Sequence, residues 1–248
     1  MDPKRPASVP SGKTPFPSTI WPGILAAGDA QHPEHREALE KFLRTYWLPV
    51  CAYIRAAWHK TPDDAKDLTQ GFFTLVIEKG YLARVKPEYG SFRSYLKMAL
   101  KHFLINAKER GKDLFVRGRP VAIEATPEEL ERLGAISQDE GPDRAFDRAW
   151  FAELLERGVR QLEESLRADS KGVYFEVFRS YCLEPERSGA TQPSYREVAD
   201  RLGISENDVR NFLSHCRQRL RQLLRERISE YAGTEEEIEE DLREVAGG

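Results

Sequence analysis

The residues best suited to chemistry in this sequence are cations at helical spacing. Arg93, Lys97 and Lys101 recur at four-residue steps, and Lys108 returns to the same flank. On a helix this spacing lines the cations along one side. Such a row neutralises consecutive phosphates, and Tyr95 and His102 lie off the apolar stripe, where a ring is placed to stack on unpaired bases. A soluble helix face with unpaired lysines is the plainer alternative. A second cationic set follows near the other end. Residues 210–227 hold six Arg against one Glu, and Arg210, Ser214, Arg217 and Arg221 share one helix face. Arginines on such a face read base edges and hold phosphates in a major groove. The alternative there is a helical hairpin with a solvated arginine face.

The net charge of −3 conceals this segregation. Residues 84–119 carry a local +7, residues 210–227 a local +5, and residues 230–244 a local −7. Two basic segments and an acidic tail suggest two contacts with a polyanion and a regulatory or partner-facing end. Enzyme chemistry has little foothold. The sequence contains no GxxxxGK[ST], GxSxG or HExxH pattern, and the five histidines have no evident partners. Cys51, Cys182 and Cys216 are odd in number and far apart, which argues against a zinc site and for reduced thiols in a cytoplasmic protein. No metal or cofactor is expected. No run approaches a membrane span, and the Pro- and Ser-rich start lacks the apolar stretch of a secretory signal. Residues 1–18 read as a disordered leader.

The elements that must position these cations are helices, in an all-α fold of two small helical domains. The first domain is expected over 19–110. In it, a helix over 34–58 is kinked or divided at Pro49. The next runs over 62–79, capped by Thr61 with Pro62 in the first turn and stopped at Gly80. A turn at 87–90 precedes a helix over 91–110, whose apolar stripe is Phe92, Leu96, Ala99, Leu100 and Phe103. Residues 111–141 read as a flexible interdomain linker, with a short helix at 127–133. The second domain, 142–231, opens with Phe146, Trp150, Leu154, Leu155, Val159 and Leu162 at three- and four-residue spacing. A helix over 173–181 and a loop over 185–193 follow. Then 194–202 forms a short helix, Gly203 and Ile204 a turn, and Ser205 caps a longer helix with Asp208 three residues on. Val209, Phe212, Leu213, Cys216, Leu220, Leu223 and Leu224 form its core face. That is the helix-turn-helix pattern, with the second helix in the major groove.

Taken with these motifs, the chain resembles the extracytoplasmic-function sigma factors over about residues 19–231. Residues 64–73, which read DAKDLTQGFF, look like the family's polymerase-binding helix. Residues 92–106 look like its −10-element helix, and 195–224 like its −35-binding helix-turn-helix. Residues 146–150 and the acidic tail over 238–245 resemble a subgroup with a C-terminal extension. The resemblance implies a subunit that binds core RNA polymerase and directs it to promoter DNA. By position it makes Asp64, Asp67, Gln70 and Phe73 polymerase contacts, although Asp64 and Asp67 also fit as first-turn acids that favour the helix dipole. It makes Arg93, Tyr95, Lys97, Lys101 and Asn106 contacts to the −10 element. Ser205, Arg210, Asn211, Ser214 and Arg217 fall to the −35 element. An anti-sigma factor is a further partner that the family implies.

The sequence departs from the family pattern in places. Gly71 stands where an acid is usual, Lys66 lowers the negative charge nearby, Asn106 replaces the usual Asp, and Phe212 replaces a common basic residue. The weakened docking helix suggests that phosphorylation of Thr69 by a Ser/Thr kinase supplies the missing charge. The acidic tail over 232–248 either folds back on the basic recognition helix or stands as a solvated helix. A helix-turn-helix regulator acting without polymerase is the alternative function, but it leaves residues 62–110 idle.

Overall fold

The computed structural model describes residues 22–85, 92–110, 141–229 and 235–247. The leader at 1–18, the turn at 87–90, nearly all of the connector at 111–141 and its expected short helix at 127–133 lie outside them. Among the described residues, all regular structure is helical. The helices are α1 (Pro22–Gly28), α2 (His35–Trp58), α3 (Pro62–Glu78), α4 (Tyr81–Arg84), α5 (Phe92–Arg110) and α6 (Pro142–Ala168). They are followed by α7 (Gly172–Phe178), α8 (Glu184–Ser188), α9 (Tyr195–Leu202), α10 (Glu206–Ser229) and α11 (Glu235–Gly247). None is long and apolar enough to cross a membrane.

Two expected local breaks take another form. Helix α2 runs undivided through Pro49. The proline removes one N–H from the ladder, yet residues 46–56 of α2 are all buried. Packing on every side holds the helix where the isolated sequence would bend. Arg157 of α6 assists from outside, donating to the Arg44 carbonyl at 3.0 Å and to Thr45 Oγ1 at 3.3 Å. The loop expected over 185–193 starts as helix. Helix α7 passes through a π-helical turn, Arg179–Leu183, into α8. Pro185 follows directly on the π-helical turn, as the second residue of α8, and its ring supplies no N–H to the carbonyls of that turn.

The first core is aromatic. Phe42, Tyr46 and Trp47 of α2, Phe72 and Phe73 of α3 and Phe92 of α5 are fully buried. Phe42 meets Phe73 and Phe92 edge to face, at 5.7 and 5.9 Å between centroids, the arrangement that ring quadrupoles favour. The second core gathers Phe175 and Phe178, Val198 and Ala199, and Val209, Leu213, Cys216 and Leu223.

Helix α6 belongs to both cores. Its N-terminal half lays Ala145, Phe146, Ala149, Trp150 and Leu154 into the first. Its C-terminal half lays Leu162 and Leu166 into the second. Between them lies Gly158, where a Cβ would come within 2.9 Å of a Leu224 methyl and 3.1 Å of a Leu220 methyl. Glycine in mid-helix costs about 1 kcal/mol relative to alanine, and here it lets α10 close on α6. The helix expected to open a separate second domain is therefore the spine shared by both groups of helices.

Candidate nucleic-acid interface

The turn between α9 and α10 is set by local hydrogen bonds at both helix starts. Ser194 Oγ accepts from the Glu197 N–H at 3.2 Å, and the Glu197 carboxylate accepts from the Ser194 N–H at 2.7 Å. The same reciprocal pair caps α10, with the Asp208 N–H donating to Ser205 Oγ at 3.1 Å and the Ser205 N–H to Asp208 at 3.2 Å. The hydrogen bonds favour the ionised carboxylates. The Ser194 N–H holds Glu197 below its ordinary pKa, with the Ser194 hydroxyl adding to it. The Ser205 hydroxyl does the same for Asp208, with the Ser205 N–H second. Gly203 closes α9 at φ +66°, the left-handed cap that glycine adopts without strain. The box at Ser194 escaped the sequence reading, although Ser194 and Glu197 stand three apart in plain view.

These caps aim α10. Val209, Leu213 and Cys216 point into the second core, while Ser205, Arg210, Asn211, Ser214 and Arg217 are exposed. All five residues assigned to duplex DNA thus reach solvent together. Phe212, expected on the core face, is half-buried and stacks on Tyr174 with 3.8 Å between centroids. The Arg217 guanidinium lies 6.0 Å from the Tyr181 ring, an amphipathic edge to the same surface.

The α5 set divides. Phe92, Leu96, Leu100 and Phe103 are buried, as their stripe predicts. Lys101, His102 and Asn106 are exposed. Tyr95 is half-buried and lies tilted against Phe92 at 6.2 Å, so it packs at the core's margin. Met98 and Ile105, 51% and 48% exposed, complete an outward stripe with Lys101 and His102. Neither stands out by charge or motif in the sequence, though they sit seven apart across those two residues.

Arg93 and Lys97 are half-buried and already paired. The Lys97 ammonium is 2.9 Å from the Asp147 carboxylate, and Arg93 is 3.4 Å from it. Arg93 also pairs with Asp241 of α11. Its guanidinium lies 4.3 Å from the Trp150 ring centre and 5.1 Å from that of Phe151. Lys97 sits 5.8 Å from Phe146.

On α3 the acidic residues Asp64 and Asp67 are exposed and Gln70 is half-buried. Phe73 corrects the expectation: it is 0% exposed and packs edge-on against Phe42 and Phe72. Both members of the Phe72 and Phe73 pair face inward because α3 is covered on two sides, so no ring remains for a partner. Thr69 is also 0% exposed, and its hydroxyl donates to the Ala65 carbonyl at 2.7 Å. A kinase reaches it only if α3 opens. Nearby, burial pushes the Cys51 thiol up to about 12, against a smaller opposing effect from Thr69.

The acidic tail folds back. Ile238 and Leu242 of α11 are buried in the first core. Glu239 accepts from Arg221 at 2.8 Å and pairs with Arg225, which also meets Glu235. Contact with the recognition helix was one of two arrangements the sequence left open. The reach to Arg93 through Asp241 was not anticipated. Among the described residues no three His, Cys, Asp or Glu gather as metal ligands. Comparison with protein-family models, with curated proteins and with solved structures returns no match.

Proposed function

We propose that this chain is a promoter-recognition subunit of the sigma-factor kind, which binds core RNA polymerase in the cytoplasm and directs it to particular promoters. One observation carries the reading: a helix-turn-helix capped reciprocally at both helices, with Arg210, Asn211, Ser214 and Arg217 exposed along one face of α10. Arginine and asparagine at the start of such a helix pair with guanine and adenine edges in a major groove. The exposed Lys101, His102 and Asn106 on α5 supply a second contact, to an unpaired strand. Two modest contacts on one chain reinforce each other through effective concentration. Exposed Asp64 and Asp67 on α3 are offered to polymerase. In this reading polymerase performs the chemistry and the chain needs no catalytic group or cofactor.

The test is run-off transcription with core polymerase and a library of promoter fragments. Start-site selection that depends on the chain is expected, and Arg210→Ala with Arg217→Ala should abolish it. No selection with any promoter overturns the reading. A regulator that binds DNA without polymerase is the second reading. It is favoured by the covering of Arg93 and Lys97, which leaves α10 as the more open cationic face. Failure to co-purify with core polymerase while retaining duplex binding would select it.

A further inference from the structure

The cationic pair on α5 already has occupants, and their chemistry resembles that of a nucleic-acid strand. Arg93 and Lys97 lie among three rings, Phe146, Trp150 and Phe151, and two carboxylates, Asp147 and Asp241. Rings against a guanidinium, with anions at its N–H groups, are what stacked bases and phosphates present. The same C-terminal helix carries Glu235 and Glu239 to Arg225 and Arg221 on the recognition helix. Its apolar face, Ile238 and Leu242, seats it on the first core between these two sets of ion pairs.

We propose that Asp147 of α6 and the acidic helix α11 act as an internal nucleic-acid mimic, which covers Arg93 and Lys97 of α5 and the Arg221 and Arg225 flank of α10 and gives way, α11 lifting while α6 stays in the core, when DNA occupies those cations. The proposal rests on the reading that α5 and α10 bind nucleic acid. Two features support displacement. The carboxylates and the phosphates compete for the same guanidinium, so occupancy by one excludes the other. Asp241 is 6% exposed and acts from one α11 turn, next to Leu242, so lifting that turn frees Arg93 of one of its two anions. Because the coupling is reciprocal, DNA that favours the open form also loosens α11.

The test measures anisotropy of fluorescein-labelled single-stranded and duplex oligonucleotides at low salt. The proteins are the full chain, Asp147→Asn with Asp241→Asn, Glu239→Gln, and the chain shortened by residues 232–248. Far-UV circular dichroism checks that each is folded, and the asparagine variants keep their shape should the shortened chain lose its seat. Opening raises the competent fraction, so the double asparagine variant should bind single strands about tenfold more tightly or better. Adding Arg93→Ala to it should remove the gain. Glu239→Gln should tighten duplex binding. In the parent, adding oligonucleotide should speed hydrogen exchange of the α11 amides. Equal affinities across the parent and all variants overturn the mimic and leave DNA binding standing. Failure of every form to bind either oligonucleotide overturns the DNA-binding reading, and the mimic with it.

Discussion

Replacing Trp150 with alanine asks whether α6 joins the two groups of helices or merely lies between them. Trp150 is 2% exposed, stands edge-on to Phe151 with 5.1 Å between centroids, and supports the Arg93 guanidinium at 4.3 Å. Truncating a buried tryptophan costs about 3–5 kcal/mol, part of it the lost cation–π contact. The loss should appear in elements remote in sequence, because Trp150 packs in one core with Tyr46 of α2 and Phe92 of α5. Hydrogen exchange of α2 peptides, followed by mass spectrometry, reads this directly. With tenfold for each 1.4 kcal/mol, slow α2 amides should exchange at least about a hundredfold faster. Leu166→Ala, at the other end of α6, lies in the second core and should act first on α10. If Trp150→Ala accelerates exchange in α6 while α2 and α5 keep their protection, the shared spine is refuted.

Two further outcomes follow from titrating groups. The folded-state pKa values of Glu197 and Asp208 are depressed from ordinary values of 4.5 and 3.8, so their contribution is complete above those values and is lost as pH falls through the depressed ones. Below about pH 4.5 the urea midpoint of the helix-turn-helix should drop with acid, and Glu197→Gln with Asp208→Asn should flatten that slope; an unchanged slope would show that the caps do not titrate with folding. Burial pushes all three thiols up, those of Cys51 and Cys216 to about 12, so exposure orders their reactivity and iodoacetamide at neutral pH should label the native chain first at the half-buried Cys182. Early modification of Cys51, read by peptide mass spectrometry, would contradict the packing of α2 against α3.

What the sequence disclosed was local. Thr61 ahead of Pro62 and Asp64, or Ser205 ahead of Asp208, announces a helix start within four residues, and the hydrogen bonds are there. The stripe of α5 was legible for the same reason, since 3.6-residue periodicity marks which face is apolar. Periodicity does not say which neighbour that face meets. Phe146 and Trp150 read as the start of a second domain, yet they enter the first core because α2 offers Tyr46 there. Phe73 failed similarly: a resemblance places a residue in a motif but does not count the helices packed around it. The pairs that matter most for the site span 54 residues from Arg93 to Asp147 and 148 from Arg93 to Asp241. Opposite charges were visible at all three positions, but nothing in the chain order selects those partners over many other acids.

The pairing changes what positive charge means in this molecule. An open cation that meets DNA lets condensed counterions go, and affinity falls steeply with salt. Arg93, Lys97, Arg221 and Arg225 instead begin with carboxylates beside them. When phosphate replaces a carboxylate, the freed acid takes counterions back, and part of the release is cancelled. Salt also screens the exposed pairs to Glu239 more than the Arg93–Asp241 pair, whose side chains are 15% and 9% exposed. Rising salt therefore weakens the closure at α10 before the closure at α5. On the proposed function, the helix-turn-helix would be the first face to meet DNA, and the α5 site would open only when a strand or polymerase replaces what α6 and α11 provide.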